Sequence, residues 1–167
     1  MDGWKEGWKV VVVQAPSSKP DFTFGSCTGH CGITYQLGKF TKPNTGGGPL
    51  CVFEDKDAAI EFVKKNFGTQ EFNYFIRGAG VMVFPCQYKP SEHQRIWSPW
   101  VSNEARPLTE LPSGTILADE VMIYGEPVHT IWAACSVEVR DLLNHLFPLR
   151  HPASGWIPTT TNYECNT

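Results

Sequence analysis

Leu50-Cys51-Val52-Phe53-Glu54-Asp55-Lys56-Asp57-Ala58-Ala59-Ile60-Glu61-Phe62-Val63-Lys64-Lys65-Asn66-Phe67-Gly68 writes a strand, a cap, a helix and a stop in nineteen consecutive positions. Leu50 to Phe53 is a short apolar run of strand type. Asp55 or Asp57 can then accept hydrogen bonds from the orphan amides of a helix that begins there. Ile60, Val63 and Phe67 make one apolar stripe with Ala59 beside it. Acidic residues from Glu54 to Asp57 lie at the positive end of the helix dipole, and Lys64 and Lys65 lie at the negative end. Gly68 closes the helix.

Working outward, Trp8 to Ala15 reads as a strand whose four consecutive valines, Val10 to Val13, call for burial on both faces. Pro16 to Gly32 is a long loop rich in turn residues. Ile33 to Phe40 alternates apolar with polar until Lys39 and Phe40, where the faces swap, so a half-buried strand ends or bulges there. Val81 to Tyr88 is a further strand, and Pro85, which has no amide to donate, places it at an edge or a bulge. Thr115 to Tyr124 enters through the Leu111-Pro112-Ser113-Gly114 turn, and Val128 to Ala134 is expected to pair with it. Ser136 can cap a second helix carrying Val139, Leu142, Leu143, Leu146 and Phe147, which Pro148 stops. The expected architecture is α+β: a single domain over 1–148, a mainly antiparallel twisted sheet with two packed α-helices, followed by an extended tail over 149–167.

The 167 residues suffice for one domain with a substantial core. With 14 Lys and Arg against 17 Asp and Glu the net charge is -3, so no overall field draws phosphates and nucleic acid is not an expected partner. The amino-terminal residues lack a basic region followed by an apolar one, and no apolar run approaches a membrane span. A soluble, cytoplasmic protein that does not engage membrane is the expectation. Six cysteines are scattered through a chain with enough apolar residues for a core, which demands no disulfide framework.

Three constellations could carry chemistry. Cys27-Thr28-Gly29-His30-Cys31 sets two thiols and an imidazole within five residues, a ligand chemistry suited to zinc although a fourth ligand would have to come from elsewhere. Cys31 beside His30 could instead act as a hydrolase nucleophile, since a neighbouring imidazolium enriches the thiolate. In the strand Ile116 to Tyr124, strict alternation puts Asp119 with Leu117, Val121 and Ile123, and puts Glu120 with Ile116, Met122 and Tyr124, so one carboxylate should have apolar neighbours unless a bulge releases both. Phe72, Tyr74, Trp97 and Trp100, with Arg77 and Arg95 close in sequence, offer flat surfaces for an unidentified small-molecule or protein ligand. Gly46-Gly47-Gly48 precedes a strand rather than a helix and reads as a turn, not a phosphate cradle.

The valine-rich strand, Tyr35-Gln36-Leu37-Gly38-Lys39, the Leu50 to Phe53 strand with its Ala-Ala-Ile-Glu-Phe helix, the Val81 to Tyr88 strand and Leu111 to Val121, taken in order, resemble a pattern in small uncharacterised proteins of bacteria and their phages. That resemblance implies a fold and no activity. The strand and capped helix are also similar to an element of ADP-ribosyltransferase-like folds, in which a nicotinamide dinucleotide lies between two sheets. This second resemblance implies a nucleotide-dependent transferase, with Tyr35 and Glu120 in its Tyr and Glu roles. The residues themselves favour a non-enzymatic binding or accessory protein that uses the loops 16–32 and 41–49 and the aromatic segments around Phe72 and Trp97.

Overall fold

The computed structural model describes residues 3–14, 23–26, 33–67, 80–97 and 105–132. The strand and helix that open the sequence analysis appear as β5 (Leu50–Phe53) and α1 (Lys56–Phe67). Asp55 is the cap: its Oδ1 accepts from the Asp57 amide at 3.3 Å and its carbonyl accepts from the Ala59 amide at 3.2 Å. The helix buries Ala59 and Val63 completely, with Phe62 packed beside them, while Ile60 stays half-exposed. Removing a valine such as Val63 from water contributes roughly 1.5 to 3 kcal/mol.

The valine-rich strand is β1 (Lys5–Gln14), and it runs antiparallel to β6 (Gly80–Pro90) from Lys5↔Tyr88 to Val13↔Gly80. On its other edge β1 meets β2 (Thr23–Ser26) at Val11↔Ser26 and β5 at Trp8↔Phe53. β5 then pairs with β9 (Thr115–Ile123), and β9 pairs with β6. The circuit β1, β6, β9, β5 and back to β1 closes the sheet into a barrel. β3 (Thr34–Tyr35) extends β2, β4 (Phe40–Thr41) adds to β9, and β10 (His129–Trp132) adds to β6.

Strand alternation sorts the core into an inside and an outside. Val11, Phe24, Tyr35, Leu50, Val52, Met82, Phe84, Cys86, Tyr88, Ala118, Val121 and Ile123 fill the barrel. Val10, Phe53, Val81 and Val83 face outward beneath Ala59 and Val63 of α1. Adjacent valines of β1 therefore serve two cores, as the run of four requires. A separate ribbon of β7 (Arg95–Ile96) and β8 (Arg106–Pro107) brings Ile96 onto the outward side of β5 and β9, against Cys51 and Leu117.

This is a mainly β, closed-barrel molecule with one α-helix among the described residues, and it corrects the expected α+β sheet with two packed helices. The segments read as a second helix and an extended tail lie outside the described residues. Closure is decided by which strand edges meet, and those pairings join positions too far apart in sequence for periodicity to register. Three local expectations also change. The strand expected over Ile33 to Phe40 is interrupted by a turn in which Lys39 donates to the Gln36 carbonyl at 3.1 Å, with Gly38 at a φ of 76°, so that Tyr35 points inward and Phe40 outward. β10 pairs with β6, not with β9. Pro85 lies in the strand bonded to three others, where partnership passes from β9 to β10; its carbonyl accepts from the Tyr124 amide at 3.1 Å, so the donor it lacks falls at that junction. Among the described residues no helix is long and apolar enough to cross a membrane.

Candidate functional site

Beyond the rim of α1, the outward face of the barrel carries one row of side chains in register across four strands. Glu6 of β1 pairs with Gln87 of β6, Gln87 with Met122 of β9, and Met122 with Phe40 of β4. Trp4, two positions before Glu6 and so on the same side of the chain, packs against Phe40 with ring centroids 4.7 Å apart and planes tilted by 50°. Phe40 remains 43 % exposed, unusual for so large an apolar side chain among the described residues. Trp4, Lys5, Glu6 and Gln87 line a shallow recess of about 220 Å³.

The carboxylate in this recess is held from two sides. Gln87 donates its amide Nε2 to Glu6 Oε1 at 3.2 Å, and the Tyr124 hydroxyl donates to Glu6 Oε2. The second bond favours the protonated phenol, and together with partial burial it pushes the Tyr124 pKa up to about 12. Both donors are uncharged. Glu6 is thus oriented by two neutral donors, and a carboxylate has roughly four lone-pair sites, of which two are used. Such an arrangement can bind and orient a donor-rich cation. Among the described residues it brings no nucleophile and no second carboxylate together.

The residues singled out from sequence are dispersed. Tyr35 lies inside the barrel at 1 % exposure. Asp119 is the extra residue of a β-bulge: Ala118 pairs with Pro90 and Glu120 with Lys89, so Asp119 has no opposite number and is exposed. The bulge reverses the alternation, so Ile116 and Ala118 face the interior before it and Val121 and Ile123 after it. Glu120 therefore stands on the outward side, half-buried, across the barrel wall from Tyr35.

Trp97 is half-buried and committed to packing. Its indole N–H donates to the Gly46 carbonyl at 3.1 Å, its own carbonyl accepts from the Gly48 amide at 2.9 Å, and its ring occupies the space a Cβ on Gly48 would need, at 2.6 Å. Arg95 lies over the ring at 5.6 Å and His93 meets it edge-on at 5.0 Å. Gly46 to Gly48 is accordingly the seat of Trp97. Phe72, Tyr74, Arg77, Trp100, Cys27, His30 and Cys31 lie outside the described residues. Among the described residues no group of three or more His, Cys, Asp or Glu side chains is placed to hold a metal ion.

Inside the barrel stands Lys9, fully buried, its ammonium donating to the Cys51 carbonyl at 2.6 Å and lying 5.0 Å from the centre of the Tyr35 ring. The two described thiols are buried nearby. Burial raises the pKa of each and the Lys9 charge pulls partly back, leaving Cys86 at about 12. Neither is a thiolate at neutral pH, so neither is an activated nucleophile.

Trp4, Glu6, Phe40, Gln87 and Tyr124 do not emerge from motif reading. The available signal is the period of two in Trp4, Glu6 and Trp8, which puts two aromatics and a carboxylate on one face of an extended chain. Comparison of the chain with protein-family models, with curated proteins and with solved structures returns no match.

Proposed function

We propose that this chain is a non-enzymatic binding module whose contact surface is the outward patch formed by Trp4, Glu6, Phe40, Gln87 and Tyr124. The observation that carries this reading is a carboxylate fixed by two neutral donors beside a tilted pair of aromatic rings, Trp4 half-buried and Phe40 exposed. An exposed aromatic contributes contact area at little conformational entropy, and an oriented charge contributes specificity. The reactive groups elsewhere argue the same way: Cys51 and Cys86 are buried and protonated, and Tyr35 and Glu120 stand on opposite faces of the wall, which gives the transferase reading no support.

The test is a panel of short peptides and small charged or aromatic compounds titrated into isotopically labelled protein and followed by amide and indole NMR signals. Saturable shifts are expected at Trp4, Glu6, Phe40 and Gln87, with loss of response in Phe40→Ala at an unchanged thermal midpoint. Responses confined to Trp97 and the Gly46 to Gly48 turn, or release of nicotinamide from an added nicotinamide dinucleotide, overturn the proposal.

A further inference from the structure

Resting on that reading of the patch, we infer that the recess between Trp4 and Glu6 takes a guanidinium group, presented as a single arginine side chain of a partner peptide. Glu6 has a hydrogen-bond donor on each oxygen but no cation: among the described residues no Lys or Arg forms an ion pair with it. The remaining lone pairs are spread over both oxygens, and a planar guanidinium fork can donate to two oxygens at once where an ammonium is a point charge. The Trp4 ring, backed by Phe40, supplies an aromatic wall to the same recess, on which a guanidinium stacks more readily than an ammonium. The recess, about 220 Å³ and open to solvent, has the scale of one long side chain rather than of a nucleotide.

Lys5 lines the same recess and sets a limit on the partner. Its ammonium repels further positive charge at the rim, so an isolated arginine in a neutral or acidic context suits this surface better than a run of basic residues. Glu6 would supply the charge, Gln87 and Tyr124 its orientation, and Trp4 the stacking face.

The experiment titrates acetyl-Gly-Arg-Gly-amide, the corresponding lysine and citrulline peptides, and free arginine into the labelled protein. The arginine peptide should shift the Trp4 indole and Glu6 amide signals saturably. Citrulline, of the same shape without charge, should bind about tenfold more weakly or not at all, and lysine should fall between. Glu6→Gln should lose about tenfold in affinity for the arginine peptide at an unchanged melting temperature. Should that variant misfold, the arginine and citrulline comparison on the parent protein decides alone. Free arginine binding as tightly as the peptide assigns the site to a small metabolite and overturns the peptide assignment. Equal binding of citrulline, or no guanidinium response where other panel compounds shift the same residues, overturns the inference and leaves the binding patch standing; silence from every compound removes both.

Discussion

His129 shows how one buried group couples this fold to pH. It begins β10 opposite Val83, at 6 % exposure on the side of the sheet that α1 covers. Burial lowers its pKa first, and the positive charge of Lys64 on α1 lowers it further. The unfolded chain thus takes up a proton near pH 6.5 while the folded chain still resists it. Stability from this site is present above the unfolded value and is lost as pH falls through it toward the folded value. The denaturant midpoint of the parent should therefore drop between about pH 7.5 and pH 5 more steeply than that of His129→Leu. Parallel pH profiles for the two proteins would refute this account of His129.

Elements show the same dependence on single positions where strands come close. Gly7 of β1 pairs with Cys86 of β6 and faces the interior, where a Cβ would lie 2.8 Å from the Tyr88 ring and 2.9 Å from the Phe53 carbonyl oxygen. The ring can turn aside on its own, but the carbonyl belongs to β5 and cannot move without its strand. Gly7→Ala should cost about 1 to 3 kcal/mol, read as a lower urea midpoint. A variant as stable as the parent would mean that β1 and β5 are not held this close.

What is legible at this scale follows from local physics. β5 and α1 can be read from sequence because cap, apolar stripe and end charges all lie within nineteen residues, and Asp55 does cap the helix. Burial of β1 on both sides is likewise written in its valines. A bulge near Asp119 and Glu120 is legible as an alternative to strict alternation, but its position is not, since alternation cannot show that Asp119 is the residue without a partner while Glu120 stays half-buried. The site shares this opacity: Glu6, Gln87, Met122 and Phe40 become one row only when four strands fall into register. Trp4 and Glu6 carry a weak period of two, whereas nothing in sequence connects them to Tyr124 across 118 positions.

At the scale of the whole molecule, closure of the barrel depends on a narrow seam. β1 and β5 share the pairing Trp8↔Phe53, in contrast to the long ladder between β1 and β6. Lys9, the next residue of β1, spans that seam from inside by donating to the carbonyl of Cys51 on β5. Between Trp8 and Val10 a lysine would be assigned to water, yet closure turns its position inward. Burying an ammonium costs several kcal/mol, offset here by a charge-assisted bond and by the face of Tyr35. Two variants separate filling space from joining strands. Lys9→Ala empties the position and should lose about 2 to 5 kcal/mol. Lys9→Met keeps most of the volume and relieves the desolvation, so its stability should stay within about 1.5 kcal/mol of the parent. Both variants remove the donor, so amide hydrogen exchange in β5 should quicken in both while β6, paired along both edges, keeps its protection. A Met variant as unstable as the Ala variant would mean that the bond to Cys51, rather than the packed volume, carries the seam; unchanged exchange in β5 would mean that Lys9 does not hold it.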